Sequence, residues 1–303
     1  MKIIFNYLIF PGLFTAICVG LLAGWFDRKI SARLQWRVGP PWYQNFIDIV
    51  KLFGKETIIP RSSRWTFILA PYLGFLSIVL AAAILGKAML SPLESFYGDI
   101  IVILYLLTMP AISMIIGASS SRNPLASVGA SREMKLVLGY ELPFVLSLIA
   151  VIIKCQGSIQ LGSIINYQIS FGSNIFSFSG ILASIAAFFA MQAKLGLAPF
   201  DISEAEQEIM AGTLIEYSGL LLAVYKLIKA VMLYAMPLLL ICLFMGKDLG
   251  WMLLILKYIG IVLLIVLVKN TNPRMRIDQA LRFFWGPVTI VAALSVILAA
   301  VGL

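Results

Sequence analysis

The chain has 303 residues, 61% of them apolar and only 12% charged, with a mean hydropathy of +0.99. Soluble domains carry about 25% charged residues, so a soluble fold is excluded and an all-α polytopic membrane protein is expected. The chain has no histidine, which removes the usual haem and zinc ligand sets and the commonest general base.

Eight apolar stretches reach the roughly 20 residues that a bilayer requires: 3–26, 65–87, 99–118, 134–154, 176–195, 212–235, 249–268 and 283–302. Pro237 and the apolar run Leu238–Met245 either extend the sixth span or form a short re-entrant piece. The first stretch is longer than a signal-peptide core and runs into Asp27-Arg28-Lys29 where a cleavage site would be small and neutral, so it reads as a span. With eight spans, loops 27–64, 119–133, 196–211 and 269–282 share one side. They and their flanks hold most of the 23 basic residues, among them Arg122, Arg132, Lys135, Lys194, Lys269, Arg274, Arg276 and Arg282. The positive-inside rule puts these loops in the cytoplasm and both termini outside, in the cell membrane. The net charge of +9 then reflects topology and lipid contact, and no nucleic acid is implied. Cys18, Cys155 and Cys242 are far apart, form no CxxC and read as small buried hydrophobes. No repeat, linker, P-loop, GxGxxG or metal-ligand cluster occurs, and residues 1–303 read as one membrane domain.

Within the first loop Lys29, Arg33 and Arg37 recur every four residues, which stacks them on one face if the first helix continues to Gly39-Pro40-Pro41. Gln44–Lys55 then alternates with helical period. Phe46, Val50 and Phe53 share one face with Ile47 beside it, while Gln44, Asp48, Lys51 and Lys55 fall largely on the other. Twelve residues reach about 18 Å, too short to cross, so this segment is expected to lie at the interface. It serves as a surface anchor or as the rim of a cavity under a soluble arm. Arg28 and Glu56 complete the charged set of this loop.

The fourth span carries Tyr140-Glu141-Leu142-Pro143. Pro143 cannot donate to the carbonyl of Gly139, so a carboxylate lies beside a freed carbonyl, a place able to hold water or a proton. The acidic theme peaks in Ala198–Gly219, APFDISEAEQEIMAGTLIEYSG, where Asp201, Glu204, Glu206, Glu208 and Glu216 account for five of the chain's 14 acidic residues. Ionisable groups at membrane depth mark ion or proton paths. Glu141 and Glu216 are expected one to two turns inside facing spans and continued by the loop glutamates, with Lys226 and Lys229 as counter-charges.

Four ordered stretches resemble one family. DRKISARLQWRVGPP with the following Q..ID.VKL.GKE, SSSRNPLASVGASREMKLVLGYELP, APFDISEAEQEIMAGTLIEYSG and RIDQALRFFWG resemble the NuoH-type membrane subunit of complex I and of energy-converting membrane-bound [NiFe] hydrogenases and their sulfur-reducing relatives. GPPWYQ and YELP look like the hydrogenase-type branch. Respiratory members tend to have Asn-Arg where this chain has Gly196-Leu197 and a late acidic residue where it has Lys229, so the departures point away from quinone.

The resemblance implies a membrane anchor and coupling subunit of a ferredoxin-dependent, ion-pumping hydrogenase or sulfane reductase, with H⁺ or Na⁺ as the ion. It implies no cofactor and no catalytic or metal-binding residue on this chain; iron–sulfur clusters, and a [NiFe] centre, would sit on soluble-arm subunits. Antiporter-like membrane subunits would be further partners, the ion path would run through Asp201, Glu204, Glu206, Glu208, Glu216 and Glu141, and the arm would dock on the loop bearing Arg28 to Glu56. The alternatives are the quinone-site membrane subunit of respiratory complex I, an NADH-quinone oxidoreductase, and a stand-alone secondary transporter. The latter should show inverted repeats, which the sequence lacks.

Overall fold

The structure, a computed structural model, describes residues 9–60 and 64–302, with the backbone alone at 64, 206 and 207. It is helical throughout, with no strand among the described residues. The main helices are α1 (Leu13–Leu34), α2 (Gln44–Phe53), α3 (Arg64–Leu90), α4 (Asp99–Ser120), α5 (Pro124–Lys154), α6 (Leu161–Phe171), α7 (Phe178–Lys194), α8 (Gly219–Phe244), α9 (Trp251–Thr271) and α10 (Ile277–Val301). Six of them, α3, α4, α5, α8, α9 and α10, are long and apolar enough to cross a bilayer, and α7 is a shorter apolar helix of 17 residues. The expected fifth span is therefore shorter than predicted.

Helix α8 is the axis of the bundle. Its sequence is apolar on every side but for Lys226 and Lys229, and nearly all of it is covered by other helices. It packs on α1, α2, α3, α7 and α9, and it runs unbroken through Pro237, so the run after that proline extends the span. Helices α3 and α4 pair closely, and α5, α7 and α10 form a second group joined to the first through α4. Helix α9 is as apolar as any but mostly uncovered, touching chiefly α1 and α8.

Several boundaries differ from the sequence expectation for local reasons. Helix α1 starts only after Pro11 and Gly12 and ends at Leu34, well before Gly39; residues 3–8 of the expected first span lie outside the described residues. It ends because Trp36 adopts a left-handed conformation (φ 58°), with the Arg37 amide donating to the Ala32 carbonyl at 2.7 Å and the Trp36 amide to Arg33 at 3.1 Å. This is a Schellman closure without glycine. It takes Arg37 off the helix, so Lys29, Arg33 and Arg37 are not one stacked face.

Helix α5 starts ten residues earlier than expected. Asn123 caps it by accepting the Leu125 amide at 2.9 Å and Pro124 occupies the first turn, so the small polar run with the composition of a loop is helix. The expected last loop also shrinks, since α9 runs to Thr271 and α10 begins at Ile277. Helix α6, on the opposite side of the bundle, has no counterpart among the expected elements.

Helix α2 lies against the bundle through Ile49, which packs with Leu21, Leu227 and Ala230. Of its predicted apolar face Phe46 packs against this cluster, but Val50, Ile47 and Phe53 are at least half exposed, whereas Asp48 turns inward. The amphipathic pattern is present, but Asp48 of the polar face meets protein while Lys51 and Lys55 stay exposed, and Val50, Ile47 and Phe53 are left for lipid.

Candidate functional site

Segment 196–218 is folded onto the end of the bundle. Its base is aromatic: the Phe200 ring sits 4.8 Å from that of Phe284 on α10, and the Met275 amide donates to Pro199 at 3.0 Å. A chain reversal at Met210, Ala211 and Gly212, all with positive φ, brings Thr213 back to Ser203. Gly129 on α5 meets this turn so closely that a Cβ would stand 2.7 Å from the Thr213 nitrogen. The small residues that mimic a loop in the sequence are therefore the surface that receives this segment.

The fold satisfies the acidic residues one by one. Asp201 pairs with Arg274 at 2.7 Å, Glu208 with Arg132 at 2.5 Å and Glu204 with Lys229. Burial pushes the Asp201 carboxyl up from its ordinary range, against the pull of Arg274. Glu216 accepts a hydrogen bond from Asn123 at 2.6 Å. The side chain of Glu206 lies outside the described residues.

Two placements correct the expectation. Glu216 is not inside a span: α8 starts at Gly219, where φ is +55° and a Cβ would stand 2.5 Å from the Lys55 carbonyl oxygen, and Glu216 belongs to the turn before it. Nor does it face Glu141. Its partner Asn123 caps α5, and Glu141 lies 18 residues further along, about 27 Å at 1.5 Å per residue. The counter-charge of Glu141 is also different. Lys194, the last residue of α7, sits 2.9 Å from Oε2 but lines up to donate to Oε1 at 3.3 Å. Lys229 pairs with Glu204, and Lys226 is exposed with no carboxylate within ion-pair distance among the described residues.

A carboxylate outside the expected set lies between these points. Glu133 on α5 is buried, hydrogen-bonded to Ser203 and close to Glu204, Asp201 and Lys229. Tyr140, one face-repeat along α5, is buried between it and Glu141. The residues along α5 thus run from Asn123 with Glu216, through Arg132 with Glu208 and Glu133 with Ser203, to Glu141 with Lys194. The sequence signal is present in Arg132-Glu133, but the small polar residues before it give it the appearance of a loop. Lys194 likewise has the appearance of a topology charge.

Beside this run is a cavity of about 380 Å³. Helix α1 contributes Gly20, Gly24, Asp27 and Arg28, α2 contributes Asn45 and Asp48, and α8 contributes Lys226 and Lys229; Gly196 and Leu197 close it. All its charges but Lys226 are held in place. Lys269 pairs with Asp27 at 2.7 Å, and Arg28 donates to Asn45 at 2.7 Å and to Asp48 at 3.3 Å. The remaining residues expected to dock a soluble arm are Arg33, Arg37, Lys51, Lys55 and Glu56, which are exposed, and Lys29, which is partly covered beside Gly39. Among the described residues no group of three or more Cys, Asp or Glu is placed to hold a metal ion.

Residues 7–300 match the model of the NADH dehydrogenase family. The chain belongs to the NADH dehydrogenase subunit 1 (NuoH) family. Within this family it is 32% identical over 298 residues to the corresponding NADH-quinone oxidoreductase subunit of Geobacillus thermodenitrificans, covering 91% of this chain and 87% of the relative. It is 32% identical over 328 residues to the same subunit of Thermomicrobium roseum, covering 97% and 95%. A chain in the structure of the membrane-bound sulfane sulfur reductase, an archaeal respiratory membrane complex, superimposes with a TM-score of 0.90 at 31% identity, over 99% of this chain and all of that one. This NuoH-family chain is thus a membrane subunit of a complex I-type oxidoreductase assembly, and partner subunits follow from that membership.

Proposed function

We propose that this NuoH-family chain is the membrane anchor and coupling subunit of a ferredoxin-driven sulfane reductase or [NiFe] hydrogenase, converting events in a docked iron–sulfur arm into proton or sodium movement. The observation that carries the reading is the run of carboxylates along α5, each held by a cation, an amide or a hydroxyl, which ends beside a charged cavity. Such groups change partners and protonation at small cost when a neighbouring charge changes. The redox centres belong to partners, the charged loops face the cytoplasm, and antiporter-like subunits continue the path in the plane of the membrane. Likeness to a sulfane reductase chain over its whole length supports the sulfur-reducing branch. The decisive measurement is ferredoxin-driven ion uptake into sealed vesicles. Glu133→Gln and Glu141→Gln should each abolish uptake while electron transfer to an artificial acceptor continues; full uptake in both, with the complex intact, would remove the coupling role.

A second reading is favoured by two features. The 380 Å³ cavity opens beside apolar α1 and α8, and relatives at 32% identity are named as quinone oxidoreductase subunits. A quinone headgroup would then meet Lys226 and Lys229. Under the first reading, quinone-site inhibitors leave ferredoxin-driven turnover unchanged; inhibition at tight-binding concentrations would establish the second. No observation favours a stand-alone transporter, whose spans would be broken at the binding site.

A further inference from the structure

The other end of the bundle holds a buried carboxylate that the ion-pair run does not include. Asp99 opens α4 and is fully buried. Its Oδ1 accepts the Leu161 amide at 2.8 Å, tying the start of α4 to the start of α6. The Ile100 amide of its own helix also faces the carboxyl, but Oδ2 is equally buried and has no hydrogen-bond partner of good geometry among the described residues. Asp99 lines a void of about 30 Å³ with Lys87, Glu94, Ser95 and Phe96.

The walls of this void are fixed. Gln160 donates to the Ser95 carbonyl at 2.5 Å, the Ser95 hydroxyl donates to Pro92 at 2.8 Å, and a Cβ on Gly162 would stand 1.8 Å from the Pro92 oxygen. The outer wall is the Lys87–Glu94 pair, 3.3 Å apart, with both side chains partly exposed. The titratable groups facing Asp99 are Lys87 from α3, Glu94 from the 92–94 turn and the buried Cys242 thiol of α8.

We propose that Asp99 is a water-linked proton-exchange site open to the face opposite the ion-pair run. A helix staple needs only Oδ1. Leaving Oδ2 dry would carry the full cost of an unsatisfied buried acceptor, and the void has room for about one water. A metal cation fits poorly, because hard cations take about six oxygen ligands and the Lys87 ammonium occupies the same wall. A hydronium arriving past Lys87 and Glu94 gives its proton to Oδ2 and leaves as water, and the reverse step returns it. This assignment stands on the void and the free oxygen and does not depend on the coupling reading.

Infrared difference spectra of the purified complex, cycled in pH in H₂O and D₂O, test it. A carboxylic-acid carbonyl band that appears with acidification and moves in D₂O is expected, and Asp99→Asn, which keeps an acceptor for Leu161, should lose it. Lys87→Gln should keep the band but displace its midpoint. Identical spectra for the parent and Asp99→Asn complexes would overturn the proposal. Should Asp99→Asn fail to assemble, an undisplaced band in Lys87→Gln would overturn it instead.

Discussion

Lys194 and Glu141 meet 2.9 Å apart where α7 ends against the middle of α5, the lysine side chain almost wholly buried and the glutamate three-quarters covered. The ammonium also lies 4.7 Å from the Phe144 ring centre. Its place in the last turn of α7 suits the partial negative charge of a helix C-terminus. Even so, one carboxylate supplies most of what replaces water around it.

Removing that carboxylate should therefore be expensive. Glu141→Ala is expected to cost about 3–5 kcal/mol, the usual penalty for stranding one buried charge. Glu141→Gln should cost less, since its amide oxygen still accepts from the ammonium. The double variant Glu141→Leu/Lys194→Met should recover most of the loss, because an apolar pair of similar volume is often neutral. Thermal unfolding of the purified complex gives the comparison. A double variant no more stable than Glu141→Ala would mean that the pair is not what holds α5 to α7.

How much of this is legible in the sequence depends on which physical signal each residue gives. The apolar spans are legible because bilayer length is a coarse constraint that α3, α4, α8 and α9 meet plainly. The start of α5 is not, because Ser, Gly and Asn are ambiguous between a loop and a close-packed helix face; contact with the 203–213 turn decides it. Glu216 reads as part of a span because apolar residues follow it at once, while the helix begins only at the Gly219 backbone turn. Lys194 and Glu133 are visible as charges, but a charge beside an apolar run does not reveal which partner tertiary packing will bring. The carboxylate inventory can be read from the chain; the pairing cannot.

Gly20 marks a close approach of α1 to α8. A Cβ there would lie 2.2 Å from the Ala230 carbonyl oxygen and 2.6 Å from its carbon, and backbone cannot give way as a side chain can. Gly20→Ala should force the two helices apart and cost about 1–3 kcal/mol, as overpacking typically does. Gly24→Ala is the control, since its Cβ would meet only the Asn45 amide nitrogen at 3.2 Å. Melting temperatures should rank parent, then Gly24→Ala, then Gly20→Ala; equal values for the two variants would contradict the contact.

Tyr217 makes the turn before α8 sensitive to alkali. Its ring stacks on Phe67 at 4.1 Å, its hydroxyl donates to the Phe67 carbonyl at 3.2 Å, and burial pushes its pKa up from 10.0 to about 12. The folded state holds the proton more tightly than the unfolded one, so stability is intact below pH 10 and falls as pH rises toward 12. The loss approaches about 2–3 kcal/mol at the top of that window. Tyr217→Phe should flatten this dependence at the cost of one hydrogen bond, about 1 kcal/mol near neutrality. Hydrogen exchange of residues 212–220 across pH 9 to 11 would show it; an equal alkaline opening in both proteins would assign the sensitivity elsewhere.

The loop after α1 is the face we assign to the soluble arm. Trp36 is 98% exposed and held in a left-handed conformation that a bulky side chain adopts at a cost. Arg33 lies in the last turn of α1 on one side of it, Arg37 follows on the other, and both are exposed with no ion pair among the described residues. An exposed tryptophan between two unpaired arginines has the composition of an interface hot spot. Exposed charge contacts weaken as salt screens them, whereas an aromatic anchor is largely indifferent to salt. Reversing both arginines to glutamate should therefore loosen the arm most at low ionic strength, with the gap from the parent closing as salt rises, and Trp36→Ala should loosen it about equally at all salt concentrations. Co-purification of arm subunits through a tag on this chain, at low and high salt, separates the two effects. Stoichiometric recovery of the arm at high salt with all three residues changed would place the docking face elsewhere on the molecule.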